Sequence, residues 1–444
     1  MTDDSSTATD GHDHAGSPLM PAAEGGVDAT SVGDAVRRRV LVAALVYNGR
    51  SFVPRTLLSL ARLRAATVHH EVDVVILDDA SPEPGWSTEL SALCAESGLG
   101  YYCTPRNLGI PRNMSLGLLL AEDQSYNYVV ILNSDVLVPT NMVDAMVAAA
   151  EASTNIGTLT AWSNESSIFS LPNEAAEEVL TDPAVVDAVS AELADEFGTE
   201  VLDLPVGVGF CMMIPAAAVA AVGVFDPVFG RGYCEEVDWC RRAVAAGLRN
   251  VLVPSAFVYH MGSATTRTAG LLAPGEQTVN VNEDIIDQRH VGYRGELQAW
   301  TDAGHMQPLV TRALARLVSS RARGKGYVVE ASWLRRNASV PMSGTAGGEG
   351  SGPESAEGAL IYERVRITVD PDGVGPLVEA SVDGWRSVVP ITDDGILAGV
   401  SAFVGCAPDE VRIHDRGTVA DRLAEFAGHA GIPVVIRHRY PERV

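Results

Sequence analysis

The sequence predicts an α/β protein built on a mostly parallel central sheet, with a second, small α/β module at its C-terminal end. Three observations predict it. Short apolar runs alternate with helical segments over the earlier part of the chain. Four of those runs end in polar residues, and a Gly- and Ser-rich stretch sets off a shorter strand and helix pattern behind it. A continuous apolar run fits a strand buried on both faces, the condition of a parallel strand covered by helices.

Residues 1–37 are rich in Asp, Ser, Thr, Ala and Gly without periodicity and read as a disordered tail, with His12 and His14 a solvated pair within it. Val40–Val46 is the first strand, ending in Tyr47-Asn48-Gly49, and a helix follows from about Phe52 to Arg64. Val72–Leu77 is the second strand, ending in Asp78-Asp79-Ala80-Ser81; a short strand near Tyr101 leads through Arg106–Asn113 into another helix. Tyr128–Leu132 is the fourth, ending in Asn133-Ser134-Asp135. In open α/β sheets the C-terminal strand edge is where ligands bind.

Residues 174–200 are acidic and Ala-rich and read as a helical insertion, and Gly207–Ile214 as a buried strand. A turn-rich loop from Phe225 to Gly232 precedes an acidic helix at Glu235-Glu236-Val237-Asp238, which Gly247 ends. Val251–Ser255 and Phe257–His260 close a catalytic unit over residues 38–270. Residues 271–340 are expected to be a helical extension and 341–358 a flexible linker. Residues 359–444 are the small module of unassigned role, with strands near 362–369, 411–415 and 433–437 and a helix over 419–429.

The net charge of -25 argues against a nucleic-acid partner, because a polyanion is held by Lys and Arg. Any bound diphosphate therefore needs local Arg, backbone amides or a metal ion to reverse the field. Lys325 is the one lysine among 32 basic side chains, which reads as composition bias. Six scattered cysteines without a CxxC pair suggest neither a metal site nor a disulfide framework. No apolar run reaches the roughly 18 residues of a membrane span, and the N-terminus is acidic where a signal peptide is basic. The expected location is cytoplasmic, with peripheral contact at the inner face of a membrane left open.

Two acidic stations carry the chemistry. A carboxylate ending a strand, Asp135, can hold a divalent cation on a diphosphate, and a carboxylate on a later helix can take a proton from a hydroxyl. On that helix Asp238 and Arg242 are spaced for an i,i+4 ion pair, with Glu236 pointing elsewhere. Together the stations read as group transfer from a nucleotide-activated donor.

The ordered series Tyr47-Asn48, Asp78-Asp79-Ala80-Ser81, Arg106-Asn107-Leu108-Gly109, Leu132-Asn133-Ser134-Asp135, Gly209-Phe210, Phe225-Asp226, Glu235-Glu236-Val237-Asp238 and His260 resembles family 2 glycosyltransferases of the GT-A fold. The resemblance spans about residues 38–270 and looks closest to the branch that adds rhamnose or related sugars to surface polysaccharides. It implies Mg2+ or Mn2+ on Asp135, with Asn133 replacing the first acid of the family's Asp-x-Asp. His260 is implied as a further metal ligand, against a plainly packed strand-end imidazole. The family's Glu-Asp pair aligns with Glu235-Glu236, which makes Glu236 the general base and Asp238 a structural or acceptor-contact acid.

The same resemblance puts Asp79 on a pyrimidine ring, Tyr47 on the wall of that pocket and Asp78 in a structural role. Arg106 or Arg112 would reach the phosphates, with Asn48, Asn107, Gly109 and Ser134 completing the donor site. Trp162, Asn164, Gly209, Glu235 and Trp239 would line the sugar or acceptor pocket, with a plain core role for Trp162 standing equally beside that one. The expected partners are a UDP- or dTDP-sugar and a glycan, lipid-linked or small-molecule acceptor; a homo-oligomer is left open. Two other readings stand beside this one: a sugar-1-phosphate nucleotidyltransferase and a non-catalytic sugar- or partner-binding module.

Overall fold

The computed structural model describes residues 36–166, 168–262, 278–322, 327–332, 363–369, 376–390, 409–413 and 418–436. The predicted tail up to residue 35, with His12 and His14, and the predicted linker lie outside these residues.

The first unit runs β1 (Arg39–Val46), α1 (Val53–Ala66), β2 (Glu71–Asp78), α2 (Trp86–Glu96), β3 (Gly100–Cys103), α3 (Ile110–Asp123) and β4 (Tyr128–Asn133). It continues through β5 (Val136–Leu137), α4 (Met142–Glu151), β6 (Ile156–Trp162), α5 (Ala176–Val179), α6 (Pro183–Phe197), β7 (Leu202–Leu204) and β8 (Cys211–Pro215). Then come α7 (Ala216–Val222), α8 (Glu235–Ala245), β9 (Arg249–Phe257) and β10 (Tyr259–His260). Eight strands form one sheet in the order β3-β2-β1-β4-β8-β6-β9-β7. Only β8 and β7 run against the others, so the sheet is mostly parallel, as expected.

The apolar runs explain its burial. In β1, Val40, Val42, Ala44 and Val46 enter one core and Leu41, Ala43 and Leu45 the other, which is the period of two of a strand covered on both sides. Because the strand interiors are dry, polar side chains gather where β1, β2 and β4 end.

Three helices follow, α9 (Thr278–Arg289), α10 (Tyr293–Asp302) and α11 (Gln307–Ala322). The expected helical extension is corrected at its far end. Tyr327–Ser332 is a strand, β11, pairing in parallel with β12 (Glu363–Val369) on one side and β15 (Glu410–Ile413) on the other. Its β-branched Val328 and Val329 suit that central place in a sheet. The sheet is completed by β13 (Pro376–Val382), β14 (Trp385–Pro390) and β16 (Val434–Ile436), with α12 (Thr418–His429), in the order β14-β13-β12-β11-β15-β16. A second correction concerns Gly207–Ile214, where the strand begins only at Cys211.

The C-terminal sheet is fastened to the first unit. Helix α11 packs against α6 on one side and against β13 and β14 on the other. At the β13–β14 turn, Glu174 N donates to Gly384 O at 2.9 Å and Asn173 Nδ2 to Asp383 O at 3.1 Å. Trp385 is fully buried and meets the Phe257 ring edge-on at 6.0 Å. Truncating a buried Trp costs about 3–5 kcal/mol, so Trp385→Ala is expected to lower the thermal midpoint of the whole protein. Arg386→Ala, which removes a surface pair with Glu174 at 3.8 Å, is expected to cost no more than about 1 kcal/mol. Equal losses in the two melting curves would contradict this packing.

Candidate active site

The first station is built by a short ribbon. After β4 the chain turns through Ser134 and Asp135, and Thr56 Oγ1 fixes that turn by donating to the carbonyls of Ser134 and Val136, at 2.7 and 2.8 Å. Strand β5 then pairs antiparallel with β10, Leu137 opposite Tyr259 and Val136 opposite His260. Asp135 is fully buried, and its Oδ1 lies 3.5 Å from His260 Nε2. The His260 ring stacks on Phe210 with centroids 5.2 Å apart, and its Nδ1 is 2.9 Å from the Glu165 carbonyl. That contact makes Nδ1 the protonated nitrogen and turns Nε2 toward Asp135. Burial pulls the His260 pKa down, but Asp135 and the Glu165 carbonyl outweigh it and the net shift is upward.

A buried carboxylate oxygen and an imidazole nitrogen this close fit Mg2+ or Mn2+, which take oxygen and borderline nitrogen donors. Among the described residues no group of three His, Cys, Asp or Glu converges. A cation here therefore needs ligand oxygens or water for the rest of its shell. Asn164 serves this station: its side chain exchanges hydrogen bonds with the backbone of His260, Nδ2 to O at 3.0 Å and N to Oδ1 at 2.9 Å.

The second station is the start of α8. Tyr233 and Cys234 precede it with φ of 80° and 74°, two consecutive non-glycine residues in the left-handed region, each costing about 1–3 kcal/mol. Asn282, on α9, holds the turn open: its Nδ2 lies 3.1, 2.8 and 2.9 Å from the carbonyls of Phe229, Gly232 and Tyr233. Glu235 is 5% exposed, and its Oε2 and that of Glu236 are buried without hydrogen-bond partners. Burial, and the charge of Glu236 beside it, push the Glu235 pKa well above the carboxylate range; burial raises that of Glu236.

Asp238 is the opposite case. It is 1% exposed and accepts from Arg242 Nε at 2.9 Å, the predicted i,i+4 pair, with His290 Nε2 at 2.9 Å and Arg289 Nη1 at 3.3 Å. Burial alone would raise its pKa, but the hydrogen bonds of His290 and Arg242 reverse the sign and hold it low. A carboxylate so engaged neither accepts a proton readily nor reaches a ligand. Asp238 thereby ties α9 to α8.

At the donor end, Asp79 is 4% exposed and both its oxygens are bonded, Oδ1 by Leu108 N at 2.7 Å and Oδ2 by Gly109 N at 2.9 Å. It anchors the loop rather than facing a nucleobase bare. Gly109 has φ of 83°, and a Cβ there would fall 2.1 Å from Gly230 O, so only glycine lets this loop touch the one leading to α8. Asn48 is likewise engaged, donating from N to Ser81 Oγ at 2.7 Å and accepting at Oδ1 from Glu83 N at 3.3 Å. Asp78 is fully buried and receives Ser81, Ser87 and Tyr101, a structural role as expected. Tyr47 is half-buried, Ser134 buried, and Arg106, Asn107 and Arg112 are exposed on the rim, with Asn107 Oδ1 accepting from Gly109 N at 3.0 Å.

Glu236 and His260 open into the same cavity of about 590 Å³. Gly209 adjoins it, 3.9 Å from Glu236 Cβ measured from the position of an added Cβ. The other four expected pocket residues, Trp162, Asn164, Glu235 and Trp239, are absent from its wall. Trp162 is fully buried, donating Nε1 to Phe169 O at 2.7 Å, and Trp239 is fully buried, donating Nε1 to Gly223 O at 2.8 Å. Both are corrected to core residues, each indole satisfied inside the protein. Missed from the sequence were Glu283, Tyr293 and Arg294, which α9 and α10 bring to the cavity.

Residues 42–191 match the sequence model described as Glycosyl transferase family 2. The chain carries a family 2 glycosyltransferase domain. The matched segment includes Asp79 and Asp135 and ends before α8 and His260. No curated protein matches the chain. Among solved structures, it is similar to GalNAc-T7 with UDP, GalNAc and Mn2+, at 16% identity and a TM-score of 0.39 over 51% of this chain and 44% of that one. It is also similar to the mannosyltransferase PcManGT of Pyrobaculum calidifontis in complex with GDP-Man and Mn2+, at 15% identity and 0.38 over 63% and 75%. TarS of S. aureus is 14% identical, at 0.36 over 63% and 44%. The chain thus spans less than half the length of the GalNAc-T7 and TarS chains.

Two acids of α8 predict opposite stability effects. A carboxylate whose folded pKa is raised contributes stability below its unfolded pKa of about 4.3, and that stability is lost as pH rises through the folded value. Glu235→Gln is therefore expected to raise the thermal midpoint, and by more at pH 8.5 than at pH 5.5. Asp238 has a depressed pKa, so its stabilisation is present above about 3.9 and lost on acidification. Asp238→Ala is expected to cost about 3 kcal/mol at neutral pH. Melting curves of both variants across pH check the signs.

Proposed function

We propose that the protein is an inverting glycosyltransferase that moves a sugar from a nucleoside-diphosphate donor, UDP- or dTDP-linked, to a hydroxyl of a glycan, lipid-linked or small-molecule acceptor. The observation that carries this reading is the shared cavity of Glu236 and His260, with Asp135 3.5 Å from the imidazole. An imidazole backed by a strand-end acid and a carboxylate with an unbonded oxygen line one space large enough for a sugar.

Asp135 and His260 would hold Mg2+ or Mn2+, which when bound supplies positive charge to the departing diphosphate. Glu236 takes the proton from the acceptor hydroxyl at its carboxylate, one oxygen of which, Oε2, the protein leaves without a hydrogen bond. Its raised pKa brings the carboxylate nearer to neutral pH, where a base both exists deprotonated and accepts a proton readily. The hydroxyl oxygen then forms its bond to the anomeric carbon as the bond to the diphosphate breaks on the opposite face. No covalent nucleophile is required. Buried Glu235 lies beside it without entering the cavity wall, and α9 and α10 supply residues to that wall.

Glu236→Gln keeps the side chain's size but cannot accept the proton, so turnover is expected to fall about 10²- to 10⁴-fold with donor affinity nearly unchanged. Calorimetry with UDP, dTDP and GDP, with and without Mn2+, identifies the nucleotide. Mn2+ is expected to raise nucleotide affinity by about tenfold, a coupling of about 1.4 kcal/mol, and Asp135→Ala to abolish the difference. Equal affinity with EDTA, Mn2+ and Asp135→Ala would reject metal-assisted donor binding.

A further inference from the structure

We propose that the C-terminal sheet is a positioning element of the active site: its β13–β14 turn holds the segment after β6, and through the Glu165 carbonyl that segment fixes the tautomer and orientation of His260. The consequence for metal affinity rests on the reading of His260 as a cation ligand; the positioning itself does not.

Two arms of contact run from the module to the imidazole. The first passes through the β13–β14 turn. Gly384 has φ of 77°, and a Cβ on it would fall 2.2 Å from Asn173 Oδ1 and 2.7 Å from Ala175 N. The close approach lets Glu174 N donate to Gly384 O and Asn173 Nδ2 to Asp383 O. Back along the chain, Leu171 N donates to Ser163 O at 2.8 Å and Trp162 Nε1 to Phe169 O at 2.7 Å, so the segment closes on the end of β6. Its other members are Asn164, which brackets the His260 backbone, and Glu165, whose carbonyl lies 2.9 Å from His260 Nδ1. The second arm is Trp385 against Phe257, the last residue of β9. From there Val258 N donates to Trp162 O at 2.8 Å, and the chain reaches His260 in β10.

An exposed connection has no intrinsic reason to hold one carbonyl in line with one ring nitrogen. Here the connection is held at both ends, by β6 and by the module. The partner on the distal nitrogen sets which imidazole nitrogen carries the proton, and loss of such a partner at a metal-binding His costs roughly 10- to 100-fold in affinity. Gly384, Asn173 and Trp385 are thus positioning residues. They touch nothing in the cavity.

The test compares two glycines of the same module in the full-length protein. Gly384 and Gly431 both have positive φ, 77° and 71°, but a Cβ on Gly431 meets nothing within 4 Å. Gly384→Ala therefore adds a clash at the docking turn that Gly431→Ala lacks, with similar backbone strain in both. In protein labelled with 15N in its histidines, long-range 1H–15N spectra at pH 8.5 report the tautomer of His260, assigned by the signals lost in His260→Gln. The parent and Gly431→Ala are expected to show the Nδ1–H form, and Gly384→Ala the mixture of a free imidazole. Binding of Mn2+ alone, measured by calorimetry, is expected to weaken about tenfold in Gly384→Ala and to be unchanged in Gly431→Ala. Asn173→Ala removes the hydrogen bond to Asp383 without adding an atom and is expected to move both readouts in the same direction, which keeps the test open if Gly384→Ala does not fold. An unchanged His260 tautomer in Gly384→Ala and Asn173→Ala would overturn the proposal. If Mn2+ affinity is indifferent to Asp135→Ala and His260→Gln, the cation reading falls instead, and the tautomer spectra alone decide the positioning.

Discussion

The pairing of Val136–Leu137 with Tyr259–His260 is the contact on which the site depends. Strands of a parallel sheet deliver their polar ends to one edge but do not by themselves bring two of those ends together. The ribbon does so for the turn after β4 and the end of β9, and the result is an anionic oxygen 3.5 Å from an imidazole in a buried place. Every other feature near it serves the same registration. Thr56 pins the turn, Asn164 brackets the His260 backbone, and Phe210 backs the ring.

The α8 start shows what such a site costs. Two left-handed non-glycine residues and two neighbouring buried carboxylates are each unfavourable, and in an ordinary helix start none would be retained. They are offset by contacts outside the turn: the Asn282 amide on three carbonyls, and Asp238 held by Arg242, Arg289 and His290. The acids of this short helix therefore divide by environment. Asp238, surrounded by cations, stays charged and structural; Glu236 lines the cavity, and its Oε2 is buried without a hydrogen-bond partner.

The same environments explain what could be read from the sequence. β1, β2 and β4 were legible because burial on both faces leaves unbroken apolar runs. β6 was not, since Gly157, Thr158 and Thr160 interrupt its pattern; yet all of it is buried, with Thr158 Oγ1 donating to Asn250 Oδ1 at 3.0 Å. Asp135, His260 and Glu236 were found as residue types at strand and helix ends. Trp162 and Trp239 were misplaced because an indole serves a core as well as a sugar site, and which it does depends on whether a carbonyl inside the protein takes its N–H. Asn282, Tyr293 and Arg294 had no local signal at all. Their roles come from where α9 and α10 lie across α8, a tertiary fact that helical periodicity does not contain. The strand Tyr327–Ser332 was hidden for the same reason, since the partners that make it a strand lie at 363–369 and 410–413.

An acidic chain that binds a diphosphate must neutralise it locally, and the loop before α3 limits how. The amides of Leu108 and Gly109 are taken by Asp79, that of Ile110 donates to Arg231 O at 3.1 Å, and Pro111 has none. Three backbone amides at a place that commonly cradles phosphate, those of Leu108, Gly109 and Ile110, are therefore spent inside the protein. What remains is side-chain and ionic charge: Arg106 and Arg112 on the exposed rim, and a cation at Asp135 and His260. Exposed arginines act through water and are screened by salt, whereas a cation held by a buried carboxylate is not. In the proposed reading, the internal use of these amides shifts the burden of binding diphosphate onto a cation at Asp135, and the single acid left by Asn133 makes the orientation of His260 correspondingly more important.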